Sequence, residues 1–210
     1  MSFALLLTAV SVGIIHTLLG PDHYLPFIML SKARGWNIRK TAFITFVCGL
    51  GHVLAAALLG FLGYWFAIDI LRLEFIEGMR GNIAVWGMIA FGLVYFVWGL
   101  KKAYSAQNPN RGADKKNIAA WVLFIILALG PCEPLIPILM YPAAANGGLL
   151  YMGLIALVFG IATVSTMMLV VVNACYGLSF VNLKPLHRWG HAAAGFVILA
   201  CGLSVQFLGL

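Results

Sequence analysis

"HTLLGPDHYLPF", residues 16–27, interrupts a run of apolar residues that begins at the start of the chain. Gly20 and Pro21 disfavour a continuous helix, and Asp22 and His23 are costly to place in lipid. Backbone that leaves helical geometry at membrane depth is tolerated only inside protein or beside a water-filled cavity. The stretch therefore predicts a membrane-spanning helix that is broken near its middle and faces the interior of a helix bundle.

The composition of the whole chain agrees with a membrane location. Of its 210 residues, 63% are hydrophobic and only 9% are charged, and the mean hydropathy is +1.01. Soluble domains carry about 25% charged residues. We therefore expect an all-α integral membrane protein with a single core, and neither a soluble enzyme nor a nucleic-acid-binding protein.

Hydropathy divides the chain into six apolar stretches. Each is long enough to cross a hydrocarbon core of about 30 Å. The predicted spans are residues 3–30, 41–68, 83–100, 118–141, 148–172 and 187–208.

Basic residues predict the orientation of these spans. Most Lys and Arg fall in the loops that follow the first, third and fifth spans, whereas Arg72 and Arg80 fall on the other side. By the positive-inside rule the basic side faces the cytoplasm, so both termini are predicted outside a multi-pass inner or plasma membrane protein. The net charge of +7 then reflects topology and contact with anionic lipid headgroups.

Three pairs of segments indicate an internal duplication. Each pair recurs in the same order, with offsets of 110, 111 and 103 residues. The pairs are "LGPDHYLPFIM" (19–29) with "LGPCEPLIPIL" (129–139), "VCGLGHV" (47–53) with "VFGIATV" (158–164), and "WGMIAFGLVYFVWGL" (86–100) with "WGHAAAGFVILACGL" (189–203).

An odd number of spans in each half makes this an inverted-topology repeat. We predict a 3+3 arrangement with broken helices 1 and 4: residues 1–100 form the first repeat, 101–117 a basic cytoplasmic linker, and 118–210 the second repeat. Folds of this kind hold substrate near the bilayer midplane, at discontinuous helices in corresponding positions of the two halves. A pair of simple proline kinks is the alternative interpretation.

The acidic residues separate into two groups. Within the predicted spans lie Asp22 and Glu133, each in a Gly-Pro motif; the others, Asp69, Glu74, Glu77 and Asp114, are predicted to lie in loops. The repeat aligns Asp22 with Cys132 and His23 with Glu133. Ionisable residues inside a membrane are functional candidates, although structural pairing between a carboxylate and a histidine is the alternative.

Histidines complete a candidate metal-binding set. His16 precedes His23 by seven residues, and His52 lies in the second span beside Gly49 and Gly51. Imidazole, carboxylate and one thiolate suit Ni²⁺, Co²⁺, Zn²⁺ or Fe²⁺ better than Na⁺ or Mg²⁺, and metal binding should weaken at acidic pH because ligand histidines must be deprotonated. The candidate metal ligands are His16, Asp22, His23, His52, Cys132 and Glu133.

Other polar residues have weaker assignments. Thr163, Ser165 and Thr166 either line a path or bond to carbonyls of their own helix. His187 and His191, four residues apart, form either an entry or exit site or an interfacial polar pair. Two further groups are expected to be packing residues: Met167 and Met168, and the cysteines Cys48, Cys175 and Cys201.

At the motif residues the chain resembles the NicO-type nickel/cobalt permeases and the related UreH-like transmembrane proteins. A His, then Pro-Asp-His, then Gly-His in the next span are the signature of that group, and His16, Asp22, His23 and His52 stand at the matching positions. The resemblance covers the first two spans well and the remainder in outline. It implies transport of a metal cation.

"LALGPCEPLIPILMYPAA" (127–144) is similar to the Pro-Cys element of CcdA- and DsbD-type membrane electron carriers, which share the 3+3 architecture. Those proteins pair cysteines in the first and fourth spans, whereas here Cys132 aligns with Asp22. A thiol–disulfide carrier needs two thiols in reach, and Cys48 or Cys175 would have to supply the second. Export of a small anion is disfavoured because the only charged residues placed in spans are acidic.

The leading hypothesis is a secondary transporter, not an enzyme, for a divalent transition metal, with Ni²⁺ and Co²⁺ foremost. The ion is cargo, and no tightly bound cofactor is expected. The lipid bilayer is the other partner, and surface Gly and Ala allow a homo-oligomer. The sequence contains no ATP-binding loop.

Overall fold

The structure, a computed structural model, describes residues 3–105, 118–130, 132, 134–141, 147–180 and 188–208. Every regular element in these ranges is helical. The elements are α1 (Phe3–Leu19), a 3-10 turn (Pro21–His23), α2 (Leu25–Arg34), α3 (Ile38–Trp65), α4 (Ile70–Tyr104), α5 (Ile118–Leu129), α6 (Leu135–Met140), α7 (Gly148–Gly177) and α8 (Gly190–Leu208).

Four of these helices, α3, α4, α7 and α8, are long and apolar enough to cross a membrane. A fifth candidate span consists of α1 followed by the turn and α2, which together bend by 85°. The remaining apolar helix, α5, has 12 residues and is short for a bilayer core of about 30 Å. The described residues therefore give four or five candidate spans, compatible with a multi-pass membrane protein, where hydropathy predicts six.

The break in the first span has a local cause. Pro21 has no backbone N–H, and the chain makes one 3-10 turn before α2 starts at Leu25. The N–H of Gly20 still reaches the His16 carbonyl at 3.0 Å, and the N–H of His23 reaches the Gly20 carbonyl at 3.1 Å. A Cβ on Gly20 would collide with the His23 ring, so the turn requires glycine at this position.

The third span is longer than predicted. Hydropathy starts it at residue 83, but α4 begins at Ile70 and continues to Tyr104. The prediction that Glu74 and Glu77 lie in a loop is therefore wrong, and Arg80 lies within a helix rather than outside one. The cause is a buried ion pair three residues apart, between Glu77 and Arg80, which lets charged residues continue a helix that a hydropathy window ends.

Helices α4 and α8 form the closest helix pair. Gly92 lies against the Leu199 backbone and Gly195 lies against the Phe96 backbone, without room for a side chain at either glycine. The two helices run antiparallel, because the contact partner on α8 moves from Leu199 back to Gly195 as the chain of α4 advances from Gly92 to Phe96. Helices α4 and α8 thus form a tightly packed pair, and the polar centre lies among α1, α3 and α5.

Basic residues gather at one end of the bundle, which we call the basic end. It holds the end of α2, the start of α3, the end of α4 and the start of α8. Side-chain contacts join these segments: Arg34 reaches the Tyr95 hydroxyl at 3.3 Å, and Arg188 donates to the Ala103 carbonyl at 2.6 Å. Residues 106–117, most of the predicted linker, lie outside the described ranges.

Candidate metal centre

Three histidines converge at the break in the first span. His16 lies in the last turn of α1, His23 ends the 3-10 turn, and His52 lies in the middle of α3. Seven residues of continuous helix would separate His16 and His23 by about 10 Å along the axis. The break folds the chain back instead, so that their ring centroids are 4.7 Å apart.

The rings enclose a small space. The His23 and His52 centroids are 5.1 Å apart and their rings are nearly perpendicular, while the His16 and His52 rings are parallel at 6.3 Å. One ring nitrogen from each histidine lies within 4.8 Å of the other two. His23 and His52 are buried, and His16 is partly buried.

Each histidine has one buried nitrogen without a hydrogen-bond partner among the described residues. In all three rings this atom is Nε2. Buried polar atoms in proteins are normally satisfied, and each exception calls for an explanation such as an ion. Three such nitrogens in a single cluster indicate a site built to receive a ligand.

His52 is held in the tautomer that metal binding requires. Its Nδ1 lies 2.8 Å from the backbone carbonyl of Leu127, in the last turn of α5. A carbonyl oxygen only accepts hydrogen bonds, so Nδ1 carries the proton. The Nε2 lone pair is then free to bind a cation, which is the usual arrangement of a metal-binding histidine.

His23 is oriented in the same way by two acceptors. Its Nδ1 lies 3.1 Å from the Gly20 carbonyl and 3.2 Å from the Asp22 carboxylate. Both groups favour the proton on Nδ1 and leave Nε2 as a bare acceptor. Asp22 thus supports a histidine, and it also borders a cavity of about 20 Å³ between α2, α4 and α5, enough for about one water.

Two helix ends add partial negative charge. The last turn of α1 carries His16, and the last turn of α5 supplies the carbonyl that holds His52. The C-terminal end of a helix carries about half a negative charge. Both ends therefore favour a cation at the three nitrogens.

The three-histidine cluster supplies, among the described residues, three of the four ligands of a tetrahedral transition-metal site. Metal–imidazole bonds of about 2.1 Å in a tetrahedron put nitrogens about 3.4 Å apart, so the rings must close by roughly 1 Å to bind the ion. Structural metal sites usually have four protein ligands, whereas sites with exchangeable ligands keep a free position. The described residues supply three histidine ligands to this cluster.

Among the described residues, Cys132 does not join this cluster. Cys132 is fully buried, and its backbone N–H donates to Glu77 Oε1 at 2.9 Å. It packs in a core group with Val53, Leu135 and Phe159, whereas the other three cysteines belong to a second group. All four are free thiols. Glu133 lies outside the described residues.

The predicted path-lining residues differ in their burial and in their hydrogen-bond partners. Thr163 is fully buried and its hydroxyl has no partner among the described groups. Ser165 is exposed on the outer face of α7, and the Thr166 hydroxyl bonds to the Ala162 carbonyl at 2.8 Å. His191 lies at the basic end, 2.9 Å from the Tyr95 hydroxyl and 3.1 Å from Lys102 Nζ. His187 lies outside the described ranges.

The Glu77–Arg80 pair was missed by the sequence reasoning. Arg80 approaches Glu77 Oε1 at 2.5 Å and the Gly130 carbonyl at 3.2 Å, while Glu77 also accepts from the Cys132 N–H. The ion pair thereby contacts the backbone at Gly130 and at Cys132, in the chain segment between α5 and α6. The spacing of Glu74, Glu77 and Arg80, three residues apart on one helix face, is the signal that could have revealed it.

No family model, curated protein or solved structure matches this chain.

Proposed function

We propose that this protein is a secondary transporter of a divalent transition-metal cation, with Ni²⁺ or Co²⁺ as the foremost substrate. The observation that carries the proposal is the cluster of three buried Nε2 atoms of His16, His23 and His52, none with a partner among the described residues. Neutral imidazoles suit borderline metals, and the Asp22 carboxylate beside His23 offsets part of the ionic charge. The motif resemblance to NicO-type permeases agrees with this substrate class.

Transport, rather than permanent metal storage, is favoured by the position of the site. The break after α1 supplies His23, and the end of α5, next to the second Gly-Pro motif, supplies the carbonyl that orients His52. Movement at either break therefore changes the geometry of the ligands. A site coupled in this way to two interrupted helices can be opened and closed by the conformational change that transport needs.

The inverted repeat is part of the proposal, and reciprocal contacts support it. Under the 103-residue offset Gly92 corresponds to Gly195 and Phe96 to Leu199, and Gly92 meets Leu199 just as Gly195 meets Phe96. Such exchanged contacts are what a two-fold axis between α4 and α8 produces.

The same exchange occurs between α3 and α7 under the 111-residue offset. Gly49 lies against Val164, and Gly160 lies against Val53. The contacts between α4 and α8 and those between α3 and α7 are thus both exchanged as a two-fold axis requires, although the two pairs have different sequence offsets. We infer six spans in two inverted halves, with the basic end in the cytoplasm, both termini outside the cell membrane, and transport by rocking of one half against the other.

The experiment that tests the proposal is uptake of Ni²⁺ into proteoliposomes, combined with calorimetric titration of the purified protein. Wild type should bind about one ion per chain and transport it, and His23→Ala should lose both properties while remaining folded. His191→Ala is the matched control, because that histidine lies at the basic end away from the cluster. Equal binding by wild type and His23→Ala would refute the proposal.

A further inference from the structure

The threonines fall into two classes. Thr8, Thr17, Thr41 and Thr166 each donate a hydroxyl hydrogen bond to the carbonyl four residues earlier, the usual solution for threonine in an apolar helix. The remaining two, Thr45 and Thr163, are both fully buried, yet neither hydroxyl has a partner among the described residues.

The Thr163 hydroxyl lies near the level of the three-histidine cluster, and the Thr45 hydroxyl lies nearer the basic end. Thr163 on α7 lies against α1, since a Cβ on Gly13 would come 3.2 Å from its hydroxyl, one turn before His16. Thr45 precedes His52 on α3 by seven residues, about 10 Å along the helix axis toward the basic end. Each is a polar group that the local helix does not satisfy.

Sulfur-containing side chains lie on α3 and α7 between Thr45 and the histidines. On α3 one buried stripe contains Thr41, Thr45, Cys48 and His52. On the facing side of α7 the Met167 thioether lies 3.1 Å from the position that a Cβ on Gly49 would take. Sulfur ligands favour transition metals over Na⁺, Mg²⁺ and Ca²⁺, which matches the substrate proposed for the histidines.

A cavity continues this stripe to the basic end. It has a volume of about 530 Å³ and is lined by Ser31 at the end of α2, Thr41 at the start of α3, and Cys175 near the end of α7. Ser31 Oγ and Cys175 Sγ are in contact at 3.2 Å, so α2 and α7 meet at the inner wall of the cavity. Thr41 lies one turn from Thr45.

We propose that the inner half of the transport path runs between α3 and α7, from the three histidines past Met167 and Thr45 to this cavity, and that the Ser31–Cys175 contact between α2 and α7 closes it. The inference rests on the proposed function and goes beyond it by assigning the route. Hydroxyl and sulfur atoms replace part of the hydration of the ion along the route, as polar linings do in other pores.

The rim of the cavity makes it an exit rather than a collecting vestibule. Lys32 and Arg39 border it, and like charges raise the energy of a dication that stays there. A cation that passes Ser31 and Cys175 is therefore repelled onward from the mouth. A second metal-binding position inside the cavity is not expected.

The first test compares Thr45→Val with Thr17→Val in proteoliposomes. Valine keeps the shape of threonine and removes the hydroxyl; Thr17 is equally buried but bonds to its own helix at Gly13. We expect Thr45→Val to slow Ni²⁺ transport about tenfold or more, the loss expected when one polar contact to an ion is removed. Equilibrium Ni²⁺ binding should stay within about twofold of wild type, and Thr45→Ser should restore the rate.

The second test locks the proposed closure. Ser31→Cys places a thiol against Cys175, and oxidation with diamide should join α2 to α7 through a disulfide. Transport should fall about tenfold or more on oxidation, because the closed contact can no longer open, and should recover when the phosphine reductant TCEP is added. Wild type treated with diamide is the control and should be unaffected.

The outcomes are distinguishable from failure of the metal site itself. Wild-type protein that neither binds nor transports Ni²⁺ would refute the proposed function. Wild type that does both, with Thr45→Val transporting at the same rate or losing equilibrium binding, would overturn the route alone. Undiminished transport by the oxidised Ser31→Cys protein would overturn the proposed closure and with it the route through the cavity.

Discussion

Replacing Asp22 by asparagine tests how the carboxylate supports the histidine cluster. Asn keeps an oxygen that can accept the hydrogen bond from His23 Nδ1, now 3.2 Å from the carboxylate, and it removes one negative charge. The shape of the break is preserved, so the change isolates electrostatics. We expect metal binding to weaken while all three imidazoles remain in place.

The size of the effect follows from the geometry. An ion bound to Nε2 lies about 7 Å from the Asp22 carboxylate, across the imidazole ring, and a dication at that distance gains about 5 kcal/mol at an effective dielectric of 20. Replacement of residues that support metal-binding histidines elsewhere costs about 10- to 100-fold in affinity. We therefore expect a loss of about tenfold to a thousandfold in Ni²⁺ affinity.

Calorimetric titration with Ni²⁺ in detergent measures this difference. Asp69→Asn is the matched control, because Asp69 is exposed at the start of α4 and its side chain makes no capping hydrogen bond; its affinity should equal that of wild type. A change of less than about threefold for Asp22→Asn would refute the supporting role. Complete loss, equal to that of His23→Ala, would show that Asp22 is itself a ligand.

Three further changes test other parts of the structure. Glu77→Gln should lower the free energy of unfolding by about 3 kcal/mol because it breaks a buried ion pair, whereas the exposed neighbour Glu74→Gln should have little effect in the same denaturation assay. Gly195→Leu should cost about 3 kcal/mol or more, since the added side chain meets the backbone of Phe96; lowered thermal stability of the purified protein would be the readout. Ser165→Val, at an exposed position on α7, should leave Ni²⁺ transport unchanged, and a large loss would contradict the placement of the path.

The convergence at the first break was predictable from the sequence because its cause is local. Gly20 and Pro21 cannot continue the helix, and the polar residues beside them have no other reason to lie in an apolar segment. On that basis His16 and His23 are predicted metal ligands. His52 is predicted from its place beside Gly49 and Gly51 in the next span, and the predicted set also includes Asp22, Cys132 and Glu133. The tautomers were not predictable, because the carbonyl that orients His52 comes from Leu127, 75 residues away.

Two features depend on tertiary contacts and are not contained in the sequence pattern: the pairing at the start of α4 and the position of the Asp22 carboxylate. The start of α4 includes charged residues, and one face of this helix is buried where Glu77 pairs with Arg80 and accepts from the Cys132 N–H. Asp22 was predicted to be a ligand, but in the structure its carboxylate lies at Nδ1 of His23, on the side of the ring away from the free Nε2. A sequence reveals which residues are polar, but it does not reveal which ring nitrogen of a histidine a neighbouring group will contact.

X-ray absorption spectroscopy of the purified protein loaded with one equivalent of Ni²⁺ tests whether the three histidines bind the metal. We expect three imidazole ligands with metal–nitrogen distances of about 2.0–2.1 Å, the range typical of metal–imidazole bonds, and loss of one imidazole in His52→Ala. A bound ion without imidazole ligands, or with an unchanged spectrum in that variant, would contradict the claim that these three histidines form the metal site.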